Sequence, residues 1–426
     1  MKSNDLYWVW LAEKIGIASK SFPSFIEKYP DPYEVYRLTE EELHYSEGID
    51  DKLKERLAEK SLESAYSIVK YCKQHKVEII PYDSGEYPQR LKTIENPPVL
   101  LYCLGRMTGI NDSLCIGMVG TRKMSEYGKQ TAYKISYELA SANVCIVSGM
   151  ALGIDGVSAC GALNAGGKTI AVLGCGISRV YPKQHERLMK TISRNGAVIT
   201  EFPPFEEPHG HNFPLRNRII SGLCQGVVVI EGAHGSGALI TASKAVSQGR
   251  ELFAIPGNVD ENNSAGPNEL IKNGANTVLG AEDILYHYDF LYHNVLNYKQ
   301  FYKARLKSDL DDSFLAKMGV DAPRSRKAFP EKVLRADLET KLEEREEKQR
   351  DAVQNPSKKD SHGEAYESLG EQSKKVFDSL PRDKSFTPDE AAELCKMAIG
   401  EVITALTMLE ISGLITSVPG GKFKTN

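Results

Sequence analysis

The sequence lacks any continuous apolar stretch long enough to span a bilayer, which requires about 20 such residues. Its first ten residues lack the basic and then apolar layout of a secretory signal. Its eight cysteines include no C-x-x-C pair, so reduced structural thiols are favoured over a disulfide framework or a metal site. These absences predict a cytoplasmic protein without a membrane anchor.

An excess of one charge is also missing, because 53 basic and 57 acidic side chains leave a formal net charge of -4. Any anion site must therefore be a local basic patch. Gly120-Thr121-Arg122 stands where a dinucleotide-binding G-x-G-x-x-G would be expected, and Arg179 replaces the third glycine after Gly174-Cys175-Gly176. No Walker lysine follows a G-x-x-x-x-G run. Phosphate binding without a cofactor is the favoured interpretation.

The sequence does contain a central region, residues 113–280, in which short apolar runs alternate with segments of helical length. The runs are rich in Val, Ile and Leu and too short for helices, as strands buried on both faces of a sheet should be. This alternation predicts an α/β core with a parallel sheet between two layers of helices. The six runs are residues 114–119, 144–147, 169–173, 197–199, 227–230 and 251–255.

The segments around this core differ from it in composition. Residues 1–75 show apolar positions at helical spacing, which fits a helix-hairpin-helix or SAM-like module or, equally, a packing domain without a ligand. The core itself is assigned to residues 76–285. Residues 286–365 are assigned to a charged linker that opens with an aromatic run, which could stack on bases but is favoured to pack a helix against the core.

The last segment, residues 366–426, has the pattern of a small folded domain. Thr387-Pro388-Asp389-Glu390 predicts a helix start, with Thr as the N-cap, Pro at the first position and Glu completing a capping box. Gly413, Gly420 and Gly421 interrupt short apolar runs, as in a two-stranded wing. Three helices and a hairpin predict a winged helix, for which both DNA and protein partners stay open.

Small residues and glycines gather in the loops that follow the core strands. In an open parallel sheet this edge binds ligands, because glycine permits close approach and helix starts offer N–H groups to an anion. A phosphate-bearing ligand is therefore expected. Arg122, Arg216 and Arg218 are the favoured contacts, since a guanidinium can fork two phosphate oxygens. For Lys168 and Lys244 a solvated surface position is an equally good interpretation.

Catalytic and metal-binding interpretations have less support. His209 and His211 form an H-x-H pair with no further ligand evident, so a loop is favoured over a metal site. Ser148 and Thr121 could be nucleophiles, but no His–Asp pattern accompanies them. Asp155 could cap a helix or orient a neighbouring group, and capping is the favoured interpretation. The sequence therefore predicts no catalytic residue, no metal and no cofactor.

Six motifs stand in the order found in one known family. They are Gly120-Thr121-Arg122, residues 148–155, residues 171–176 with Tyr181-Pro182, residues 213–221, residues 235–242 and residues 253–257. On these motifs, which run through about residues 85–280, the chain resembles the DNA-processing protein A family, DprA or Smf. The resemblance implies an extended Rossmann fold, preceded by a SAM-like helical domain and followed by a winged helix.

For function, the resemblance implies a bacterial, non-enzymatic protein that binds single-stranded DNA, protects it during natural transformation and loads the RecA recombinase onto it. It further implies a homodimer in which the DNA lies along a basic pocket at the strand ends. The residues expected at the DNA are Gly120, Thr121, Arg122, Ser148, Gly149, Lys168, Gly174, Lys183, Arg216, Asn217, Arg218, Lys244 and Arg250.

The sequence departs from the family pattern at two positions. Ala159 stands where the family usually has His, and Ala265 where it often has Arg. The rival interpretation is a Rossmann-fold protein that binds or hydrolyses a nucleotide. Related phosphoribohydrolases carry P-G-G-x-G-T-x-x-E, whereas the loop at residues 231–237 is followed by Ala238 and Leu239 without such an acid. This absence argues against hydrolysis and leaves nucleotide binding open.

Overall fold

The computed structural model describes residues 4–320, 366, 371–382, 384–412, 414–418 and 422–425. Residues 1–342 and 343–426 belong to two compact units, which are described separately. Across these described residues, no helix combines the length and the apolar character needed to cross a membrane. All eight cysteines are buried and free, as predicted.

Six short helices open the first unit. Side-chain caps fix several of their starts: Asp31 accepts the N–H of Tyr33, and Thr39 forms a capping box with Glu42. Their buried side chains, with Trp8 and Trp10 among them, join the same hydrophobic cluster as one face of the sheet. The helices are α1 Asp5–Ile15, α2 Phe22–Lys28, α3 Pro32–Arg37, α4 Glu40–Tyr45, α5 Asp51–Ala58 and α6 Glu63–Gln74.

A nine-stranded sheet forms the centre of the first unit. Its strands are β1 Glu78–Pro81, β2 Leu100–Gly105, β3 Cys115–Val119, β4 Cys145–Ser148, β5 Thr169–Val172, β6 Ala197–Thr200, β7 Gly226–Val229, β8 Glu251–Ala254 and β9 Asn276–Thr277. The spatial order is β1-β2-β6-β5-β4-β3-β7-β8-β9. The pairs from β6 to β9 are parallel, whereas β2 is antiparallel to both β1 and β6. All six predicted strands are confirmed, and the antiparallel edge is an addition to the predicted sheet.

Helices cover both faces of the sheet, because alternate strand residues point in opposite directions. Ile116 and Met118 of β3 pack in one hydrophobic cluster, while Cys115 and Val119 of the same strand pack in the other. The helices of this region are α7 Gln89–Lys92, α8 Glu126–Ser141, α9 Ile154–Asn164, α10 Glu186–Asn195, α11 Asn212–Leu223, α12 Gly237–Ser247 and α13 Ala265–Lys272. The predicted α/β architecture with helices on both sides is confirmed.

Residues 286–320, which were assigned to the linker, are largely helical. Three further helices complete the first unit: α14 Ala281–Tyr292, α15 Tyr298–Arg305 and α16 Asp312–Met318. Buried Tyr288, Phe301 and Tyr302 pack them against the main core, so this part of the aromatic run has the packing role favoured above, whereas Tyr286 and Phe290 are exposed. The buried ammonium of Lys129 on α8 pairs with Asp312. Residues 321–365 of the predicted linker lie outside the described residues.

The second unit is the predicted winged helix. Its elements are α17 Glu371–Ser379, α18 Pro388–Cys395, α19 Ile399–Ile411, β10 Ile415–Val418 and β11 Lys422–Thr425. The capping box is present: Thr387 accepts the N–H of Glu390, whose carboxylate accepts the N–H of Thr387. The two strands form the expected antiparallel wing. The predicted glycines 413, 420 and 421 lie outside the described residues.

Candidate functional site

A cleft of about 620 Å³ opens at the carboxyl ends of the central strands. The chain passes from β3 to β4 on one side, whereas β7 pairs with β3 on the other, so the strand order reverses there. In open α/β sheets this reversal creates the ligand crevice. The loop after β3 forms one wall, and the starts of α11 and α12 form another. The lining includes Gly120, Thr121, Arg122, Asp155, Tyr181, Phe213, Arg216, Asn217 and Gly237.

An aromatic ring flanked by two guanidinium groups marks the mouth of the cleft. The Cζ atom of exposed Arg122 lies 5.2 Å from the centre of the Phe213 ring, and that of Arg216 lies 5.9 Å away. The partly exposed ring of Tyr181 stands 5.4 Å from Phe213, centre to centre. Gly174 lets Phe213 approach, because a Cβ there would lie 2.8 Å from that ring. Positive charge and aromatic faces are thus combined within one small surface.

Arg216 is a fixed charge beneath this surface rather than a flexible arm. Its Nη1 donates to the carbonyl oxygens of Gly149, at 2.8 Å, and Val172, and its Nε donates to Asn217 at 3.2 Å. Gly149 is needed here, because a Cβ would lie 2.6 Å from the guanidinium. Burial lowers the pKa of Arg216 to about 10, against the attraction of Asp155. The group therefore stays charged at neutral pH.

Asp155 holds the loop between β4 and α9. Its carboxylate accepts the backbone N–H groups of Gly149, at 3.0 Å, and Ala151, at 3.4 Å. The expected helix cap is wrong, because Gly153 occupies the N-cap and Asp155 bonds to the preceding loop. Burial raises the pKa of Asp155, while the charge of Arg216 opposes the shift. The carboxylate and the guanidinium therefore stabilise each other under the cleft.

Arg218 does not line the cleft. Its side chain is 2 % exposed and donates to Glu201, which also accepts the backbone N–H of Ala18. A guanidinium engaged in a buried ion pair is not available to clamp a phosphate, so the structure corrects the direct contact expected for Arg218. Ser148 is likewise fully buried, and the Asn217 amide is directed to Arg216 and to the carbonyl of Gly237.

Three other predicted contacts lie apart from the cleft. Lys168 precedes β5 and Arg250 precedes β8, so both stand at the amino ends of parallel strands, opposite the cleft. The Arg250 guanidinium donates to the carbonyl oxygens of Arg90 and Gly222. Lys244 lies two helical turns after the start of α12. The structure therefore does not bring these three side chains to Arg122.

Lys183 lies beside the cleft. It begins a 3-10 turn, Lys183–His185, directly after Pro182, which lines an adjoining small cavity with Arg122 and Gly174. Its side chain is exposed. Of the predicted residues, Lys183 and the cleft-lining Gly120, Thr121, Arg122, Gly149, Gly174, Arg216 and Asn217 therefore share one region.

The two departures from the family pattern lie in different environments. Ala159 is fully buried within α9, where it packs in the core rather than lining the cleft. Ala265 begins α13 and is half-buried. The change at Ala159 therefore alters the interior of the protein.

Sequence reasoning did not place Phe213 or Tyr181 among the contact residues. Both belong to motifs quoted above, and both stand next to a proline at a helix start or turn. An aromatic residue next to proline, in a loop at the carboxyl ends of the strands, is the sequence feature that could have identified them. Among the described residues, no group of three or more His, Cys, Asp or Glu side chains could hold a metal ion.

The fold and the site define an α/β protein with a cationic, glycine-lined cleft at the switch point of its sheet. A family model described as DNA recombination-mediator protein A matches residues 78–289, and one described as DprA winged helix domain matches residues 361–421. The chain belongs to the DNA-processing protein A family.

Individual relatives agree with this assignment. DNA processing protein DprA of Bacillus subtilis is 38% identical over 238 residues, which cover 55% of this chain and 80% of that protein. Protein Smf of Escherichia coli is 41% identical over 235 residues, covering 55% of this chain and 62% of that protein. The X-ray structure of DprA from Streptococcus pneumoniae aligns with a TM-score of 0.57 and 32% identity, over 66% of this chain and 97% of that chain.

Proposed function

We propose that this protein binds single-stranded DNA in the cleft at the carboxyl ends of the strands. The observation that carries the proposal is the exposed guanidinium of Arg122 over the Phe213 ring, beside Tyr181 and above the buried charge of Arg216. Arginine holds phosphate oxygens, and aromatic rings stack on unpaired bases. Since a duplex presents no free base faces to such rings, the arrangement favours a single strand.

The binding is expected to tolerate many sequences and to weaken with salt. The cationic groups act on the phosphate backbone, which all sequences share, and each contact releases bound counterions. The protein carries a formal net charge of -4, so attraction to DNA must come from this local surface. Lys183 stands where it can add a further phosphate contact.

The wider role proposed is that of a recombination mediator in natural transformation, acting in the cytoplasm. The description of the matching family model supports this role. In this role the protein protects incoming single strands and loads the RecA recombinase onto them. RecA assembly on DNA covered by single-strand-binding protein tests this step: the native chain should accelerate it, and Arg122→Ala should not.

We propose binding without chemical turnover and without a cofactor. Among the described residues that line the cleft, Asp155 is the single acidic residue. Its carboxylate already accepts two backbone N–H groups, so it has a structural role in the loop. The rival role in nucleotide hydrolysis predicts release of base or ribose phosphate from nucleoside monophosphates. Such release by the native protein would replace the present proposal.

The central test compares Arg122→Ala with Lys168→Ala in fluorescence anisotropy of an oligothymidylate and of a duplex across a salt series. Arg122→Ala should weaken single-strand binding about tenfold, because a charge-assisted hydrogen bond is lost. The slope of log affinity against log salt should become shallower by about 0.7. Lys168→Ala removes the same charge at the opposite sheet edge and should bind like the native chain. Equal losses in both variants, or stronger native binding to duplex, would contradict the proposal.

We also propose a homodimer formed through an apolar face of α14. Tyr286, Phe290 and Leu291 are exposed there, and Phe290 is 85 % exposed. Tyr286 and Phe290, four residues apart, lie on one side of the helix, and Leu291 borders them. Large exposed apolar patches mark association surfaces, and a second copy related by two-fold symmetry would cover both patches at once.

A further inference from the structure

Tyr71, His75 and Phe205 form a second aromatic surface, the α6 patch, where α6 meets the loop after β6. The rings of Tyr71 and His75 stack with centres 4.2 Å apart, and the ring of Phe205 meets Tyr71 edge-on at 4.8 Å. Phe205 is 49 % exposed and His75 is exposed as well. The α6 patch thus combines ring packing with ring faces open to solvent, which is the form of a base-stacking platform.

Basic residues flank Tyr71 and His75 in the sequence. Lys70, Lys73 and Lys76 are exposed and lie within seven residues of the chain that also include Tyr71 and His75. These charges stand at the carboxyl end of α6, where they also complement the helix dipole. Positive charge at this end of the helix favours the backbone of a nucleic acid over a neutral or acidic partner.

The two acidic side chains next to Phe205 already face basic groups. Glu207 pairs with the guanidinium of Arg179 at 2.7 Å, and Glu206 lies 4.0 Å from the Nε2 of His209. The ion pair with Arg179 reduces the repulsion of Glu207 toward phosphate.

Ser178 connects the α6 patch with the cleft. The Ser178 side chain lies beside the Tyr71 hydroxyl, and the Ser178 hydroxyl donates to the carbonyl of Pro204 at 2.6 Å. Pro204 precedes Phe205, and Tyr181, which lines the cleft, follows Ser178 by three residues. Three residues span at most about 11 Å, so Ser178 lies within two or three nucleotide lengths of the cleft wall.

We propose that the α6 patch is a second binding site for unpaired nucleobases, which stacks the part of a single strand that leaves the cleft past Tyr181. This inference rests on the proposed function of the cleft. It gives the N-terminal helices a direct part in DNA binding and lengthens the footprint of each protein chain. Stacking needs free base faces, so the α6 patch takes single strands and not duplex.

The test measures affinity for a short and a long oligothymidylate, about 6 and about 20 nucleotides, because single sites for unpaired strands in OB folds span about 4 to 16 nucleotides and the longer strand exceeds that range. A longer strand offers more overlapping positions for one cleft. Native protein should bind the longer strand more tightly than this larger number of positions explains. Phe205→Ala, alone and with Tyr71→Ala, should weaken binding of the long strand about tenfold and leave the short one unchanged. Phe205→Trp should restore it.

Tyr66→Ala is the matched control, since Tyr66 is an exposed aromatic residue on the same helix outside the α6 patch. It should bind both strands like the native chain. Thermal unfolding of each variant verifies the fold. Native protein that fails to bind the short strand would refute the proposed function itself. Normal short-strand binding with an undiminished long-strand advantage in Phe205→Ala would overturn this inference alone.

Discussion

Arg216 and Arg218 are two residues apart on α11 and have different surroundings. Arg216 lies at the cleft floor with backbone carbonyls as acceptors, whereas Arg218 is buried against Glu201. The ion pair also reaches the N-terminal helices, because Glu201 accepts the N–H of Ala18. One sequence motif therefore contains a charge at the ligand edge and a charge that holds elements together.

Arg218→Ala should therefore act on stability. Removing one partner of a buried ion pair leaves the other charge without compensation, which costs about 3 kcal/mol of the free energy of unfolding. Urea denaturation measures this loss, and the surface variant Arg122→Ala should change the same quantity by less than about 0.5 kcal/mol. The double variant Glu201→Ala/Arg218→Ala should recover part of the loss. An Arg218→Ala protein with native stability and reduced DNA binding would instead support a direct phosphate contact.

At the scale of elements, the strands were more predictable than the side-chain environments. Short runs rich in β-branched residues identified all six central strands, because burial on both faces leaves a continuous apolar signal. Capping chemistry likewise identified the start of α18 at Thr387. The position of Arg218 could not be read in this way, since its partner Glu201 is 17 residues away in a different element.

Local sequence patterns also failed to predict that the first part of the assigned linker is folded. Charged composition after residue 305 indicated a solvated linker, yet α16 is folded, and long-range contacts join it and the segment before it to α8. Among them are the buried pair of Lys129 with Asp312 and the hydrogen bond from Ser308 to Glu138 at 2.8 Å. Interactions that join residues more than 150 positions apart leave no periodic signal in the sequence.

Glu138 makes the packing of these elements dependent on pH. Burial raises the pKa of the Glu138 carboxyl above its ordinary value of 4.5, while Lys134 and Ser308 oppose the shift. Between the unfolded and folded pKa values the folded protein keeps a proton that the unfolded chain has lost. The contribution of Glu138 to stability is therefore full below about pH 4.5 and is lost as pH rises through the folded pKa.

Glu138→Gln should remove this dependence, because the amide can still accept from Ser308 and carries no charge to bury. Urea denaturation of both proteins over a pH series measures the difference in their free energies of unfolding. The native chain should lose stability relative to Glu138→Gln as the pH rises above 4.5. A constant difference across the series would show that Glu138 titrates normally in the folded state.

At the scale of the whole molecule, the first unit contains the cleft, the α6 patch and the exposed face of α14. Binding and association can therefore be separated by mutation within one unit. In a symmetric dimer each chain supplies one cleft, and a strand long enough to reach both gains effective concentration at the second site. Dimerisation should accordingly matter for long strands and not for short ones.

Phe290→Asp tests this arrangement by placing a charge in the centre of the α14 face. Light scattering on a sizing column should give twice the chain mass for the native protein and a single chain mass for the variant. Tyr45→Asp, on an exposed tyrosine of α4, is the control and should remain dimeric. The monomeric variant should bind a short oligothymidylate normally and lose affinity for a long one, because only the link between two clefts is broken. If Phe290→Asp stays dimeric, the interface lies on a surface other than α14. If the native protein is a monomer, the proposed homodimer is wrong.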